Sequence, residues 1–411
     1  MNVDAWDRFY QRISSCSLHS NDRIVSDLLE ALATEKIQSV ELVDGGTQVK
    51  LKLTFGNRKS AMFKPMRFSH AYETDPNQNY FSEFEKANAE IATFHLDRLL
   101  KFNRAIPTAG RILDLVEIFE HSSASLRKTF FWSPANNFCF TGRCHYFCDP
   151  TFAICGRPKL IAGSVQAFLP HKSAADLMER SSPYSRTYLL EGIVAKWQAD
   201  SSYCDQLKNS TEFGKGRLLL DIVDVAILDF LTGNQDRHHL QLWDVFEEGE
   251  SAPIHMDNGR GFGRPQFDDD EILKPLTQCC LVRPRTVRTM LRHYTGAPSL
   301  SQALHSLISS DHMHPLLAEN HMAALERRLE KILQAVADCL SASDRPMDVL
   351  RNFIGGGFLS ATELRQRQKA SFKRERHEQK FGNYYIKGPS TTTGRARSQL
   401  TSARSRRRHQ I

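Results

Sequence analysis

The sequence predicts an α+β fold with two lobes, a β-rich N-terminal lobe followed by a mainly helical C-terminal lobe. The order of the apolar patterns predicts it, because strand-like runs are concentrated in residues 36–66 and helical spacing dominates from residue 218 onward. A chain of 411 residues is long enough for two or three folding units or one large two-lobed enzyme. Hydrophobic residues make up 41% and charged residues 25%, which excludes collagenous, wholly disordered and membrane-embedded chains.

Helical and strand patterns alternate at the start of the chain. Residues 22–35 carry apolar side chains at helical spacing, and residues 81–100 do so again on one stripe. Between them, the runs IQSVELV, TQVKLKLTF and SAMFKPM have strand character and are separated by a Gly-Gly turn and an Asn-Arg-Lys turn. We therefore expect a hairpin or meander in residues 36–66.

The second half of the chain is predicted to be mainly helical. Residues 218–231 indicate a strongly apolar helix, and Gly233 is suited to its C-terminal cap. Two short strands, QLWDVF (241–246) and PIHM (253–256), are expected next. Residues 284–343 again favour helices.

The positive charge is concentrated at the C-terminal end. Residues 365–411 contain 14 Lys or Arg and two Glu, a surplus of 12, so residues 1–364 carry −5 although the whole chain carries +7. Because this segment is also rich in Ser, Thr and Gln, we predict that residues 351–411 form a basic, disordered tail. Contact of the tail with an acidic partner, a membrane or nucleic acid is the alternative. No specific nucleic acid is expected.

Eight of the nine cysteines fall into two clusters, which suits either disulfides or a zinc site. One cluster lies in a loop-like segment, residues 136–157, and the other consists of Cys204, Cys279, Cys280 and Cys339. Zinc is the weaker alternative, because the first cluster has spacings of 4, 3 and 6 intervening residues and two adjacent cysteines are poorly placed to share one tetrahedral ion. Disulfides indicate an oxidising compartment.

Two further features bear on the compartment. No run of about 18 apolar residues occurs, and residues 1–6 have no secretory signal pattern. Because the cysteines indicate secretion, we expect that the signal segment is absent from a truncated sequence. Asn209 begins an Asn-Ser-Thr acceptor site for N-glycosylation, which is compatible with secretion.

Two aspartates flank the predicted pair of short strands. Asp236 follows the apolar helix, and Asp257 comes 21 residues later at the end of the second strand. In protein kinases with this layout, a catalytic-loop Asp accepts the proton of the attacking hydroxyl, an amide five residues on holds a metal ion, and an Asp-Phe-Gly aspartate bridges metal and phosphates. Gln241 stands where the amide would be, and Asp257-Asn258-Gly259 where Asp-Phe-Gly would be. Simple turn chemistry is the alternative for Asp-Asn-Gly.

His238 and His239 come directly after this motif. A pair of histidines suggests a metal site, but adjacent side chains usually diverge. We therefore favour structural hydrogen-bonding roles for both imidazoles.

The N-terminal half supplies a cation and further carboxylates. Lys64 ends a predicted strand in AMFK, as Val-Ala-Ile-Lys does in kinases. Glu85 and Glu90 lie on the predicted helix that follows, and one of them should face Lys64. The turn GGTQ (45–48) is a candidate for covering the phosphates, although it lacks GxGxxG. An exposed strand lysine and solvated glutamates are the alternative for each residue taken singly.

Together these motifs resemble the secretory-pathway kinases typified by the Golgi casein kinase, which share an atypical kinase fold with the proteoglycan xylose kinase. The resembling segments are GGTQVKL (45–51), FKPMR (63–67), FSEFEKANAEIATFHLDRLL (81–100), SPANNFCFTGRCHYFC (133–148), GSVQAFLP (163–170), GNQDRHH (233–239), HMDNGRGFG (255–263) and PLTQCC (275–280). The casein-kinase branch is the nearer one, because the xylose kinase has DNAKSFG where this chain has DNGRGFG. The resemblance implies an atypical protein-kinase-like, two-lobed fold stabilised by disulfides.

The resemblance also implies a role for each matching residue. Asp236 would be the catalytic aspartate, and Glu85 and Asp257 would bind Mn²⁺ or Mg²⁺. The residues implied to bind ATP are Gln48, Lys50 and Lys64 at the phosphates, Gln241 beside them, and the nucleotide-hinge segment Ala167, Phe168, Leu169 and Pro170, which would donate backbone hydrogen bonds to adenine. The implied disulfides are Cys139 with Cys155, Cys144 with Cys148, Cys204 with Cys279, and Cys280 with Cys339, which leaves Cys16 unpaired.

One position departs from the family. Its active members carry Glu five residues after the catalytic Asp, whereas this chain has Gln241, so a negative charge near the nucleotide is lost. An amide oxygen can still bind a metal ion, so we expect retained activity with altered metal or nucleotide preference. The inactive member of the family lacks the metal-binding glutamate that matches Glu85, and its presence here favours an active enzyme.

We divide the chain into an N-terminal helical extension (1–34), a kinase N-lobe with a cysteine-rich insertion (35–170), a kinase C-lobe (171–350) and the tail (351–411). The resemblance implies a serine/threonine protein kinase of the Golgi lumen or the extracellular space that transfers the ATP γ-phosphate to Ser-x-Glu sites of secreted acidic proteins. The alternatives are a glycan kinase that phosphorylates proteoglycan xylose and a pseudokinase that activates a partner kinase. A pseudokinase or a second copy of the chain is the expected protein partner.

Overall fold

The computed structural model describes residues 4–77, 84–144, 148–170, 177–186, 193–243, 250–355 and 385–387. Strands dominate the N-terminal part and helices the C-terminal part, which confirms the predicted α+β, two-lobed fold. The helices of these residues are α1 (Ala5–Tyr10), α2 (Asp22–Thr34), α3 (Ala87–Leu99), α4 (Leu115–His121), α5 (Ala124–Arg127), α6 (Lys196–Ala199), α7 (Tyr203–Lys208), α8 (Leu218–Thr232), α9 (Lys274–Cys279), α10 (Pro284–Thr295), α11 (Leu300–Ile308), α12 (Glu319–Ser341) and α13 (Pro346–Val349). The strands are β1 (Ile37–Val43), β2 (Lys50–Phe55), β3 (Ser60–Pro65), β4 (Thr108–Asp114), β5 (Phe130–Trp132), β6 (Phe138–Phe140), β7 (Ile154–Cys155), β8 (Leu160–Ala167), β9 (Leu177–Ser181), β10 (Ile193–Ala195), β11 (His239–Trp243), β12 (Pro253–Ile254) and β13 (Tyr385–Lys387).

A five-stranded antiparallel sheet in the order β1-β2-β3-β8-β4 forms the N-terminal lobe. In β2 and β3, buried side chains alternate with partly exposed ones. Successive side chains of a strand point to opposite faces of the sheet, so Phe63 enters the core and Lys64 points to the other face. The three strands predicted in residues 36–66 are confirmed.

The two N-terminal helices complete the core of this lobe. Trp6 and Phe9 of α1 and Leu28 and Leu32 of α2 are buried in the same hydrophobic cluster as the sheet. Helix α2 matches the predicted helix and begins after Asn21, whose side chain accepts hydrogen bonds from two backbone N–H groups. The helical extension is therefore packed against the sheet.

Helix α8 is buried along its whole length in the helical lobe. Its side chains belong to two hydrophobic clusters, one shared with α3 and α12 and one with α7 and α9. Because neighbours cover all of its sides, apolar residues occur all round the helix. Gly233 ends the helix with φ of 71°, as predicted, and turns the chain into the loop that contains Asp236.

The cysteine-rich segment, residues 136–157, is more regular than predicted. Strands β6 and β7 pair within it, and β6 also pairs with β5. The sulfurs pair as the resemblance implies, namely Cys139 with Cys155, Cys144 with Cys148, Cys204 with Cys279, and Cys280 with Cys339. Cys16 is free and exposed, and none of the paired sulfurs is available to a zinc ion. Asn209, the predicted glycosylation site, is exposed at the end of α7.

A three-stranded sheet in the order β12-β11-β9 connects the loop after α8 to the segment that contains Asp257. Strand β11 covers the first part of the predicted QLWDVF strand, whose last three residues lie outside the described residues. Strand β12 is shorter than the predicted PIHM strand. The register places Gln241 between Glu179 on β9 and Ile254 on β12.

Strand β13 falls in the segment for which the sequence predicts a disordered tail. It pairs with β10, and the other residues after 355 lie outside the described residues. Within the described part of the chain, no helix has both the length and the apolar character needed to cross a membrane.

Arg328 on α12 connects the end of α8 to a more C-terminal loop. Its guanidinium donates to the carboxylate of Asp268 (2.8 Å) and to the backbone carbonyls of Leu231 (3.0 Å), Arg264 (2.9 Å) and Phe267 (2.8 Å). One buried cation therefore fixes the segment that follows the Asp-Asn-Gly motif against the helix that precedes Asp236.

Replacing Arg328 by Met should lower the free energy of unfolding by about 3–5 kcal/mol, because three carbonyls lose their buried donor and the Asp268 carboxylate loses one of its partners. Arg327 also binds Asp268, but its side chain is 40% exposed against 2% for Arg328. Arg327→Met should therefore cost about 1 kcal/mol or less. Chemical denaturation of both variants measures the difference, and equal losses would contradict the role assigned to Arg328.

Candidate active site

Lys64 on β3 is the centre of a cluster of charged side chains. Its ammonium group lies 2.9 Å from a carboxylate oxygen of Glu85 and 3.2 Å from one of Asp257, and it contacts the carboxylate of Glu90. The sequence predicts that one of the two glutamates faces Lys64, and both do. One ammonium group therefore faces three carboxylates.

The charges in this cluster shift one another's pKa values. Burial alone would lower the pKa of Lys64, but the carboxylates of Glu85, Glu90 and Asp257 raise it well above its usual value. The Lys64 cation in turn lowers the pKa of Asp257, with a further contribution from Lys50. Lys64 and Asp257 therefore both stay charged at neutral pH.

The three carboxylates fit a divalent cation. Glu85, Glu90 and Asp257 each offer one oxygen, and these oxygens lie within 4.8 Å of one another. Hard divalent ions prefer such oxygen ligands. The side chain of Asp257 is 63% exposed, so the cluster opens to solvent on that side. A cation that enters there meets more carboxylates than Lys64 alone neutralises.

Glu85 lies just before α3, which corrects the prediction that residues 81–100 are helical throughout. Helix α3 begins at Ala87, and the start of the predicted helix lies outside the described residues. The backbone N–H of Lys86 donates to the carbonyl of Gly259 (2.6 Å), and a Cβ atom at Gly259 would lie only 2.7 Å from that of Glu85. Glycine at this position therefore allows Glu85 and the Asp-Asn-Gly segment to approach each other.

The GGTQ turn (45–48) lies beside the carboxylates. The hydroxyl of Thr47 donates to the carboxylate of Glu85 (3.3 Å). The side chain of Lys50 folds back over the turn, so that a Cβ atom at position 46 would lie 2.9 Å from its Nζ. Gln48 is buried. The structure thus brings the turn and Lys50 to the same place as the Lys64 cluster.

A buried pair, Asp97 and His255, holds the segment that precedes Asp257. Oδ2 of Asp97 lies 2.7 Å from Nδ1 of His255, and the other carboxylate oxygen accepts from the backbone N–H of Arg104 (2.9 Å). The backbone N–H of His255 donates to the carbonyl of Arg104 (3.1 Å). Asp257 has φ of 59°, a left-handed conformation that Asp adopts more readily than most residues. These bonds connect α3 to the Asp-Asn-Gly segment.

Arg237 joins the two loops that contain the candidate aspartates. Its guanidinium forms a bidentate pair with Asp229 of α8, with both distances 2.9 Å. It also contacts the carbonyl of Met256 and donates to the side-chain oxygen of Asn258 (2.7 Å). Burial alone would lower the pKa of Arg237, but Asp229 raises it, so the cation persists.

Asp236 lies in the loop directly after α8. Its carboxylate contacts the guanidinium of Arg260 and lies 3.2 Å from Nδ1 of His238. Its backbone N–H donates to the side-chain oxygen of Asn234 (3.1 Å). Its neighbour Arg237 contacts the residues on both sides of Asp257, so the loops that contain the two aspartates are joined.

The two histidines make the hydrogen bonds that the sequence predicts. Nδ1 of His238 lies 2.9 Å from the backbone carbonyl of Asp236, and Nδ1 of His239 lies 3.1 Å from the carboxylate of Glu179. The prediction that the two side chains diverge is wrong, because the ring centroids are 4.2 Å apart. His238 precedes β11, so the strand alternation that would separate the rings does not apply to it.

The candidate nucleotide-hinge segment is Ala167, Phe168, Leu169 and Pro170, at and after the end of β8. The backbone N–H of Ala167 donates to the carbonyl of Pro107 (3.0 Å), and that of Phe168 to the carbonyl of Ser60 (3.1 Å). The carbonyl of Phe168 accepts from the hydroxyl of Tyr10 (2.8 Å). The N–H groups of Ala167 and Phe168 are therefore engaged within the protein, which corrects the expectation that they donate to adenine.

Gln241 on β11 is the cross-strand neighbour of Glu179 on β9, and its amide nitrogen donates to the Glu179 carboxylate (3.1 Å). The sequence predicts that Gln241 removes a negative charge from this place. This stays a prediction, and the structure adds that the adjacent strand supplies a carboxylate to the Gln241 amide.

The predicted set of site residues lacks three members of this arrangement. Glu90 is expected to face Lys64 but is not in the predicted metal-ligand set, although its spacing of five residues from Glu85 is a usable signal. Arg237 adjoins Asp236 in the sequence. Glu179 has no sequence signal, because it is separated from Gln241 by 62 residues and reaches it through strand pairing.

Comparisons with known proteins agree with this geometry. A family model described as "Fam20C: Golgi casein kinase, C-terminal, Fam20" matches residues 4–347. The chain is 52% identical to the extracellular serine/threonine protein kinase CeFam20 of Caenorhabditis elegans, over 82% of this chain and 67% of that protein. It is 41% identical to the human pseudokinase FAM20A, over 72% and 55% of the two chains. It is 38% identical to the human glycosaminoglycan xylosylkinase, over 76% and 74%.

The solved structures include the Golgi casein kinase with Mn/ADP bound. That structure matches with a TM-score of 0.83 and 51% sequence identity, and the match covers 86% of this chain and 84% of the other. The chain spans about two thirds of the length of CeFam20 and about half that of FAM20A.

Replacing Lys64 by Met should lower the free energy of unfolding by about 3–5 kcal/mol, because Glu85, Glu90 and Asp257 lose their shared cation. Added Mn²⁺ should restore part of the loss, since a divalent ion can occupy the space among the carboxylates. Lys52→Met is the matched control, because Lys52 is a partly exposed lysine on the neighbouring strand with one glutamate partner and should cost less than about 1 kcal/mol. Thermal unfolding with and without Mn²⁺ measures both. Equal effects of the two variants would show that the cluster is not formed.

Replacing Gly259 by Ala should weaken Mn²⁺ binding by about tenfold or more, because the new methyl group pushes Glu85 away from Asp257. Gly56→Ala is the control, since a Cβ atom there meets nothing within 4 Å. Isothermal titration calorimetry measures the affinity of each variant. Unchanged affinity in Gly259→Ala would mean that the close approach is not needed.

Proposed function

The chain belongs to the Fam20 family, and on that premise we propose that it is an ATP-dependent protein kinase of the secretory pathway. It phosphorylates Ser, or Thr, of secreted proteins and prefers acidic Ser-x-Glu sites. Relatives in the family include a protein kinase, a xylosylkinase and a pseudokinase, so the choice among them depends on the site itself.

The observation that carries the proposal is the convergence of Glu85, Glu90 and Asp257 on Lys64, with Asp236 on a loop that Arg237 joins to the Asp257 segment. Phosphoryl transfer needs a place for a cation beside the phosphates and a carboxylate beside the attacking hydroxyl. The solved relative with Mn/ADP bound supports Mn²⁺, or Mg²⁺, and ATP as the ligands.

Each charged residue of the site would have its own role in phosphoryl transfer. Glu85 and Asp257 would hold the metal ion, and Glu90 would hold Lys64 in position. When bound, the ion neutralises the negative charge that develops on the phosphate oxygens. Lys64 would contact the phosphates, and Asp236 would orient the acceptor hydroxyl and accept its proton.

The remaining nucleotide contacts would come from the turn and the hinge. Gln48 and Lys50 would contact phosphates from the GGTQ side. The adenine would lie along Ala167, Phe168, Leu169 and Pro170, with backbone hydrogen bonds from groups other than the N–H of Ala167 and Phe168. Gln241 would face the nucleotide from β11.

The disulfides support a location in the Golgi lumen or outside the cell, because disulfides persist in oxidising compartments. Glycosylation of the exposed Asn209 fits the same location. The proposed partners are acidic secreted proteins as substrates, and a pseudokinase or a second copy of the chain as a regulator. Contact of the basic tail with acidic partners is part of the proposal, although most of the tail lies outside the described residues.

Two other functions are the alternatives. A xylose kinase would use the same carboxylates to activate a sugar hydroxyl, and a pseudokinase would activate a partner kinase. The higher identity to CeFam20, 52% against 38% for the xylosylkinase, favours a protein acceptor. The complete set of Lys64, Glu85, Asp236 and Asp257 favours an active enzyme over a pseudokinase.

The purified chain with ATP and Mn²⁺ should phosphorylate a casein-derived Ser-x-Glu peptide and leave a xylose-containing linker glycan unmodified. Asp257→Ala should abolish transfer by removing a metal ligand, and Asp236→Asn should slow it by about 100-fold or more by removing the proton acceptor. Asp270→Asn, at an exposed aspartate, is the control and should leave the rate unchanged. Mass spectrometry of peptide and glycan detects the products.

The same experiment distinguishes the proposed function from the two alternatives. Transfer to the glycan alone would replace the proposal with a xylose kinase. Absence of transfer to either acceptor, together with activation of an added partner kinase, would identify a pseudokinase. Full activity of Asp236→Asn would overturn the role of Asp236.

A further inference from the structure

One face of the β9–β11 pair presents polar side chains close to the proposed site. In β11, Leu240 and Leu242 are buried, so His239 and Gln241 point to the opposite, partly exposed face. Glu179 is the direct cross-strand neighbour of Gln241 and lies on the same face. This face therefore carries a carboxylate, an amide and an imidazole.

Glu179 bonds to both of these neighbours. One carboxylate oxygen lies 3.1 Å from Nδ1 of His239, and the other accepts from Nε2 of Gln241 at 3.1 Å. An ionised carboxylate can only accept hydrogen bonds. The amide nitrogen of Gln241 must therefore face Glu179, and its amide oxygen is turned away from β9.

The strand on the side of β11 away from β9 is β12. The other cross-strand neighbour of Gln241 is Ile254 on β12, and Asp257 follows three residues later. Burial lowers the pKa of His238, whereas the negative charges of Asp257 and Glu179 oppose that shift. The charges of Asp257 and Glu179 therefore both act on this imidazole, which directly precedes β11.

We propose that Glu179 is a positioning residue of the nucleotide and metal site, which holds the amide oxygen of Gln241 toward the bound cation and adds one negative charge on that side. This inference rests on the proposed function, because it assigns a role within the same site. Gln241 supplies the oxygen. Its hydrogen bond to Glu179 determines that the oxygen, and not the nitrogen, of the amide faces the cation.

A charge swap separates this role from that of an ordinary cross-strand pair. Glu179→Gln removes the charge and leaves the orientation of the Gln241 amide undefined. In the double variant Glu179→Gln with Gln241→Glu, the new amide can donate to the new carboxylate, so that an oxygen and a negative charge return beside β12. Glu41→Gln is the matched control, because Glu41 is a cross-strand carboxylate of similar exposure, 53% against 56% for Glu179.

The affinity for Mn²⁺ is measured by calorimetry in the presence of a non-hydrolysable ATP analogue, and the half-saturating Mn²⁺ concentration is measured in the phosphorylation assay. Glu179→Gln should weaken both by about three- to tenfold, as expected for one charge at moderate distance in a partly solvated site. The charge swap should return both to within about twofold of the unaltered chain. Glu41→Gln should change neither, and thermal unfolding checks that all variants remain folded.

Unchanged Mn²⁺ affinity in Glu179→Gln, or failure of the charge swap to restore it, would overturn the positioning role. The calorimetric readout keeps this result distinct from a failure of the proposed function. If the unaltered chain binds Mn²⁺ with the analogue but transfers no phosphate, the kinase proposal fails while the role of Glu179 is still measured. If the unaltered chain binds no Mn²⁺ with the analogue, the inference is overturned.

Discussion

The ion cluster at Lys64 is the interaction on which the rest of the site depends. One ammonium group from the N-terminal sheet meets carboxylates from the segment before α3, from α3 itself and from the segment after β12. Attraction between opposite charges is stronger in a partly buried site than at the surface, so the cluster holds elements of both lobes in one arrangement. Because three carboxylates share one ammonium group, the contact that stabilises the fold also leaves oxygen ligands for a second cation.

Buried hydrogen bonds limit how far these carboxylates can move. The Asp97–His255 pair fixes the chain before Asp257, and Arg237 binds the carbonyl and amide groups on either side of it. Gly259 then allows the chain to lie directly against Glu85. Removing any one partner would leave buried polar groups unpaired, which is costly. The geometry of the candidate ligands is therefore a property of a connected network, although Asp257 itself is exposed.

Periodicity and local spacing predict the main helices and strands and the positions of the two candidate aspartates, because periodicity and spacing are properties of residues that are close in sequence. Helix α8 and the strands of residues 36–66 follow from them directly. The start of α3 does not follow from periodicity. The helical spacing extends past Lys86 to Glu85, and Lys86, the N-cap residue, makes no side-chain capping bond. Spacing along the sequence also does not predict contacts between distant segments. Glu179 and Gln241, for example, are brought together only by the register of the paired strands.

Anomalous diffraction from crystals of the chain grown with Mn²⁺ and ADP tests the central claim most directly. We predict a manganese peak bound by carboxylate oxygens of Glu85 and Asp257, beside the nucleotide phosphates, with the ammonium group of Lys64 on a phosphate oxygen. A manganese peak held by other residues, or a nucleotide bound away from Lys64, would contradict the view that these charges form the site of phosphoryl transfer.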